Sequence, residues 1–302
     1  MVAAGLIVSR FLHFSAVLLL FGAAAFPLYA YREGERGART DALFDQLRRY
    51  LIPAAVLALL SAISWLCLTS ANMSGSLANA VNPAILAIVI RETDFGKIWI
   101  WRIALSAVLV VLFWPKRRSE VLALAQIAGA ALLLTSIAGT GHAGADATPW
   151  GTFHVAADSL HLLAASAWLG GLLPLAIVLA HPSPDIPESV DVLNRFSGMG
   201  TLAVAALVLS GIINSLFQVG SIEIFVTSLY GRILIVKLGL FAVMLRYAAA
   251  NRFNLVPALA KAPGEPGAAL ARLRKNVAIE QVLGVFVLGV VAFLGTLAPG
   301  EG

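Results

Sequence analysis

Histidine is the residue type in this sequence best suited to bind a ligand within an apolar segment. His154, Asp158 and His161 are spaced i, i+4, i+7, so a helix would carry all three on one face. His13 and His161 each lie inside a long apolar run, at a depth of roughly 15 Å for a helix. An ionisable residue inside such a helix usually faces neighbouring helices and has a partner there. We therefore expect these side chains to form a polar site.

Imidazole nitrogen ligates copper, zinc, iron and nickel, so a metal ion is the first ligand to consider. The predicted metal ligands are His13, His161, His154 and His142. Asp158 is expected to orient an imidazole through its ring N–H rather than to bind the ion itself. Two buried imidazoles on different helices could instead be the axial ligands of haem b, in a transmembrane redox protein.

Other side chains could belong to the site or serve packing alone. The Cys67 thiolate and the Met73 thioether are soft donors that would suit Cu(I), although packing explains either residue. Arg102 and Lys237 would extend to the membrane interface or balance a carboxylate. His181 is expected to be a solvated helix end.

Glu280 follows the basic run RLRKN. A salt bridge with Arg272, Arg274 or Lys275 would account for this carboxylate, and a cytoplasmic gate is the alternative.

Transmembrane helices are the elements that must position these side chains. Of the 302 residues, 60% are hydrophobic and only 12% are charged. Long apolar runs predict helices, because a spanning segment must satisfy its own backbone hydrogen bonds. The run 81–90 is too short to span and predicts a re-entrant or surface helix. About eight spans are predicted, at 3–31, 46–70, 97–115, 119–140, 151–180, 196–219, 226–250 and 276–298.

The charges of the connections predict the orientation of the chain. Lys and Arg concentrate in the first, third and seventh connections and are absent from the fourth and sixth. The positive-inside rule then places the odd connections in the cytoplasm and both termini in the periplasm. The net charge of +5 thus indicates topology and not nucleic-acid binding. A single cysteine excludes an intramolecular disulfide, and no nucleophile triad, phosphate loop or nicotinamide fingerprint indicates an enzyme.

The two halves of the chain resemble each other. LHFSAVLLLFG matches LHLLAASAWLG, DQLRRY matches DVLNRF, and GKIWIWR matches GRILIVK, in the same order. We therefore predict one membrane domain, 1–302, made of two tandem four-helix repeats, 1–142 and 143–302. An even number of helices gives both copies the same orientation, related by a pseudo-two-fold axis along the membrane normal. Such an axis would place His13 and His161 at the same depth.

Several longer stretches carry a family resemblance. They are LHF around His13, GHAG around His142, HVAADSLHLLAASAWLGGLLPL, GRILIVKLGLFAVMLRYAAANRF and the late Glu280. Together they resemble the CopD family of bacterial copper-resistance membrane proteins.

The resemblance implies a multi-pass inner-membrane protein that handles copper delivered in the periplasm. The family is described as importing copper, often with a small periplasmic copper carrier of the CopC type. We therefore expect a transporter or metal-binding protein that takes periplasmic copper at an outward-facing histidine site in the bilayer. The chain has only four methionines, which favours a site built from histidine.

Overall fold

The computed structural model describes residues 1–116, 119–140, 150–181, 185–219, 222–261 and 267–297. Within these ranges the regular elements are helices, and seven helical segments are long and apolar enough to cross a membrane. The predicted all-α polytopic membrane fold is confirmed. The helices are α1 Val2–Ala30, α2 Ala38–Ser74, α3 Pro83–Glu92, α4 Asp94–Phe113, α5 Glu120–Thr135, α6 Gly151–Leu169, α7 Leu172–Ala180, α8 Ile186–Val219, α9 Ile222–Thr227, α10 Leu229–Ala250, α11 Val256–Lys261 and α12 Gly267–Leu294.

Helix α5 is shorter than the predicted fourth span. It has 16 residues, or about 24 Å of helix against a hydrocarbon thickness of ~30 Å. A separate 3-10 turn, Ala138–Thr140, follows it. The other predicted spans fall on the seven long segments, and an eighth crossing at α5 stays a prediction.

The apolar run 81–90 forms a short helix, α3, as its length predicts. Asn82 caps this helix by accepting a hydrogen bond from the Ala84 backbone N–H, and Pro83 occupies the first turn. A Thr93 cap then starts α4 directly, with its hydroxyl accepting from the Gly96 N–H at 2.9 Å. The equivalent cap at α10 is Ser228, which accepts from the Gly231 N–H at 3.0 Å.

The predicted fifth span, 151–180, is one membrane segment but two helices. It breaks at Gly170 and Gly171, between α6 and α7. Pro174 has no N–H to donate to the Gly170 carbonyl, which removes one bond of the helical ladder at this point. Helix α1 is also so close that a Cβ on Gly170 would overlap the Leu18 carbonyl oxygen.

Helices α1 and α6 cross in a reciprocal contact. A Cβ on Gly22 would overlap the Ser166 carbonyl oxygen, just as one on Gly170 would overlap that of Leu18. Gly22 and Gly170 are 148 positions apart, and so are Leu18 and Ser166. A two-fold axis passing between two helices produces this exchange of contacts. The contact supports the repeat, whose symmetry stays a prediction.

Two helices are much longer than a bilayer is thick. Helix α2 has 37 residues and α8 has 34, or about 55 and 51 Å of helix. The charged residues that lead into α2 lie beside the start of α8. An ion pair of 3.3 Å joins Arg32 to Asp191, and one of 3.4 Å joins Arg39 to Glu188. The first connection and the start of α8 are therefore on the same side of the membrane, as the predicted topology requires.

Helix α1 forms the centre of the bundle. It contacts α2, α5, α6, α8 and α12. Its Val17, Leu20 and Phe26 side chains are completely buried. The helix that carries His13 and the helix that carries His161 therefore pack against each other at the heart of the molecule.

Candidate functional site

The polar residues of α6 face α8. The Nδ1 atom of His161 lies 3.0 Å from the Ser210 hydroxyl oxygen. One turn earlier on α6, the carboxylate of Asp158 accepts a hydrogen bond of 3.0 Å from the Asn214 side-chain amide. Both α6 side chains are half-buried, so this interface combines polar groups with restricted access to solvent.

His154 completes the row one further turn along α6. Its ring stacks on Phe217 of α8, with centroids 4.5 Å apart and planes inclined by 13°, and its side chain is buried. The three α8 partners, like the three α6 residues, follow the spacing i, i+4, i+7. We call this row of paired side chains the α6–α8 face. Its members are His154, Asp158 and His161 on α6 with Ser210, Asn214 and Phe217 on α8.

His13 makes the corresponding contacts between α1 and α2. Its side chain is completely buried, and its Nδ1 lies 3.1 Å from the Ala58 carbonyl oxygen and 3.1 Å from the Ser61 hydroxyl oxygen. Two indoles border the imidazole, with centroids 6.0 Å away for Trp65 and 6.5 Å away for Trp99. His13 is therefore held in a dry aromatic environment.

The partners of the two imidazoles fix the tautomer of each ring. A carbonyl oxygen can only accept, so Nδ1 of His13 must carry the proton that it donates to Ala58. The Ser210 hydroxyl donates to the Ala206 carbonyl oxygen, so it accepts from Nδ1 of His161. In both neutral rings the Nε2 atom then keeps its lone pair, which is the form of imidazole that binds a metal ion.

Some buried polar atoms of the described residues lack a hydrogen-bond partner, and two of these atoms matter for the site. They are Nε2 of His13 and the side-chain oxygen of Asn214. An unsatisfied buried polar atom is unfavourable, by about 1–3 kcal/mol. A ligand that met these atoms would remove that penalty.

The first half of the chain repeats the arrangement of the α6–α8 face with different side chains. Ser61 and Ser210 are 149 positions apart, and both contact Nδ1 of the histidine of their own half. One turn from this pair, the Arg10 guanidinium lies 5.0 Å from the centroid of the Trp65 ring. Asp158 and Asn214 are the corresponding residues of the second half. The histidine–serine pair is thus common to both halves, whereas the neighbouring pair differs in charge.

A cation accompanies each histidine. The Arg102 guanidinium donates to the Ser136 carbonyl oxygen at 2.5 Å and lies 4.1 Å from the Trp99 ring centroid. It is only 1% exposed, so it is buried among the helices. Lys237, its counterpart in the second half, lies near enough to Asp158 and His161 to interact with both electrostatically.

Among the described residues, the structure does not gather His13, His154 and His161 into one metal-binding cluster. His13 bonds to α2 and His161 bonds to α8, and His142 lies outside the described residues. Within the described ranges, no three His, Cys, Asp or Glu side chains are close enough to hold a metal ion together. Joint coordination by these residues stays a prediction.

The other candidates occupy different places. Cys67 is a half-buried free thiol, and Met73 is 57% exposed at the end of α2. His181 is exposed after α7, and its carbonyl oxygen accepts a hydrogen bond from Arg274. The predicted salt bridge of Glu280 is wrong, because the ion pairs of the described residues do not include Glu280, whose carboxylate accepts from Asn251 at 2.8 Å.

Sequence reasoning missed the serine and asparagine partners. Ser210 and Asn214 repeat the spacing of the α6 residues, but small polar residues are common in membrane helices and carry a weak signal alone. The same spacing relates Ser61 to Trp65 one repeat earlier. Comparing the second helices of the two halves would have found the pair of serines.

Two family profiles match the chain. The N-terminal domain of copper resistance protein D-like proteins matches residues 1–152, and copper resistance protein D matches residues 190–294. Copper resistance protein D of Pseudomonas syringae pv. tomato is 34% identical over 299 residues, covering 96% of this chain and 95% of that protein.

Two further relatives have different names. Inner membrane protein YebZ of Escherichia coli (strain K12) is 31% identical, covering 96% of this chain and 97% of that protein. Copper transport protein CutJ of Bacillus subtilis (strain 168) is 31% identical over 80% of this chain, which spans 45% of CutJ. No solved structure matches the chain.

Proposed function

Because this chain belongs to the copper resistance protein D family, we propose that it binds copper at its intramembrane histidines and moves it across the membrane. The observation that carries the proposal is the hydrogen-bonding pattern that His13 and His161 have in common. Each ring donates from Nδ1 to the second helix of its own half, which leaves Nε2 as a metal-binding nitrogen.

The donors around these nitrogens suit a copper substrate. Imidazole is a good ligand for copper, and a carboxylate such as Asp158 would favour Cu(II) over Cu(I). We assign His161 and His154 to a position on the α6–α8 face and His13 to the matching position in the first half. His142, twelve residues before His154 in the sequence, is the candidate that completes the ligand shell.

The copper is proposed to enter from the periplasm. The distribution of Lys and Arg places the N-terminal ends of α1 and α6, and hence both histidine positions, nearer the outer side of the inner membrane. The names of two relatives, an inner membrane protein and a copper transport protein, support the inner membrane as the location and copper transport as the activity. A small periplasmic copper carrier of the CopC type is the proposed donor.

Metal content of the purified protein tests the proposal. We expect bound copper in the wild type, with most of it lost in His13→Ala and His161→Ala and none lost in His181→Ala, the exposed control. Full copper in both folded core variants would place the site elsewhere. A haem absorption spectrum lost in the same two variants would make these residues axial ligands of a redox protein instead.

A further inference from the structure

A cavity lies near the opposite end of α6 from His154. Its volume is about 240 Å³, and its walls come from α6, α7, α8, α10 and α12 with the turns between α10 and α11. Apolar side chains form most of the lining, with Glu280, Asn251 and Arg252 among the polar exceptions. A cavity of this size has room for several water molecules.

Glu280 is the buried acid of this cavity. Its side chain is 2% exposed, on a helix that crosses the membrane. The carboxylate accepts a hydrogen bond of 2.8 Å from the Asn251 amide, whose own oxygen accepts one of 2.7 Å from Asn276. Trp168 also lines the cavity beside the carboxyl group. The Asn251 amide holds Glu280 at the cavity wall.

Three charged or titratable side chains on α12 and on elements that pack around it are bonded to other atoms. Arg252 donates to the Ser197 carbonyl oxygen at 2.7 Å and to the Thr201 hydroxyl. Arg274 donates to the Leu179 carbonyl oxygen at 2.7 Å, and Tyr29 donates to that of Ala167 at 2.9 Å. In the part of the chain that the structure describes, no ion pair reaches Glu280.

A buried carboxylate without a paired cation is unfavourable in an apolar environment, so it binds a cation or a proton. The groups around Glu280 favour a proton over a metal ion, because their oxygen atoms are already engaged. Both polar atoms of the Asn251 amide are occupied, and Ser197 and Thr201 already accept from Arg252. A metal ion that prefers oxygen ligands needs several of them, and Glu280 alone cannot supply the set.

We propose that Glu280 is a proton-binding site, which takes up and releases a proton through the water-accessible cavity between α6, α8, α10 and α12. Asn251 begins a π-helical turn, Asn251–Leu255, between α10 and α11. Such turns occur frequently at functional sites. The turn brings the amide that holds the carboxyl group to the cavity wall.

The proton site is linked to the copper site through α6. Trp168, a neighbour of Glu280, lies seven residues after His161, or about 10 Å along the helix. This step rests on the proposed copper function: proton exchange at Glu280 accompanies copper movement, so a proton gradient supplies the energy for that movement.

Infrared spectroscopy of the protein in liposomes tests the proton site without copper. As the pH is varied, the wild type should gain and lose the carbonyl stretch of a protonated carboxyl group. One component of this signal should be lost in Glu280→Gln and kept in Glu120→Gln, a control at an exposed acid. Glu280→Asp keeps a carboxyl group and should shift the band. An unchanged signal in all three variants would overturn the proposal.

Copper flux into liposomes tests the coupling separately. Glu280→Gln should bind as much copper as the wild type, and its copper flux in a pH gradient should be at least tenfold slower. A wild-type flux that does not depend on the pH gradient would overturn the coupling. A wild type that binds no copper would overturn the proposed function, and the infrared result would still decide whether Glu280 binds a proton.

Discussion

At the scale of single residues, the hydrogen-bond partners of Nδ1 determine which nitrogen each intramembrane histidine offers. Ser61 and Ser210 each use the hydroxyl proton on a carbonyl of their own helix, so their oxygens accept from Nδ1. The imidazole is thereby fixed in orientation and tautomer before any ligand arrives. Groups that orient a metal-binding histidine contribute to affinity without touching the metal.

Ser210→Ala should weaken copper binding without removing a ligand. Loss of a group that orients a histidine lowers metal affinity by roughly 10–100-fold. Ser215→Ala is the matched control, because the Ser215 hydroxyl donates to the Gly211 carbonyl oxygen on the same helix. Titration against a competing chelator measures the difference. Equal affinities for the two variants would show that Ser210 has no such role.

At the scale of elements, the close crossing of α1 and α6 depends on glycine. Gly22 and Gly170 approach so closely that neither has room for a Cβ, and Ser166 donates to the Leu18 carbonyl oxygen at 2.6 Å beside them. Small residues allow membrane helices to approach this closely. The crossing sets how His13 and His161 are placed relative to each other.

Gly22→Ala should destabilise the bundle. The added Cβ would lie 2.6 Å from the Gly170 Cα and closer still to the Ser166 carbonyl oxygen, so the backbones must separate. Overpacking of this kind costs about 1–3 kcal/mol. Gly239→Ala in α10 adds a Cβ that meets no atom within 4 Å beyond its own stretch of helix, and it should be neutral or stabilising by up to ~1 kcal/mol. Thermal unfolding in detergent compares the two variants. An unfolding midpoint for Gly22→Ala equal to that of the wild type would contradict the close crossing of α1 and α6.

The sequence predicted the helices well and their interruptions poorly. Long apolar runs define spans because the bilayer leaves the backbone few alternatives. The break between α6 and α7 depends on Pro174 together with the approach of α1, a tertiary contact that no local pattern reports. The partner of Glu280 was missed for the same reason, since Asn251 comes from a π-helical turn on another helix.

The candidate site was predicted in part. The spacing of His154, Asp158 and His161 predicted a shared face, and all three contact α8. The sequence could not show that His13 and His161 bond to different helices. Equivalence in a repeat predicts similar surroundings for two residues, whereas their mutual distance depends on how the halves pack.

At the scale of the whole molecule, the two halves meet at α1 and α6, and again where the charged residues that lead into α2 lie beside the start of α8. The ion pairs there, Arg32 with Asp191 and Arg39 with Glu188, are partly exposed. Pairs of this kind contribute roughly 0–1 kcal/mol each and weaken with salt. The bundle therefore depends on its buried crossing rather than on these contacts.

Cysteine labelling should establish the orientation of the bundle. In a Cys67→Ala background, Ala78→Cys lies at an exposed position between α2 and α3, and Ser119→Cys lies at the exposed cap of α5. We expect a membrane-impermeant thiol reagent added from the periplasmic side to label the first and not the second, because the Lys and Arg distribution puts them on opposite sides. The reverse pattern would invert the molecule and place the histidines nearer the cytoplasm.

The aromatic surroundings of His13 have an optical consequence. Trp65 and Trp99 are buried with their ring centroids 6.0 and 6.5 Å from the imidazole, whereas the ring against His154 is a phenylalanine. Paramagnetic Cu(II) close to an indole quenches its fluorescence. Copper bound in the first half would therefore quench the fluorescence of Trp65 and Trp99 more strongly than copper bound at the α6–α8 face. The emission intensity during a copper titration then reports the order in which the two halves bind copper.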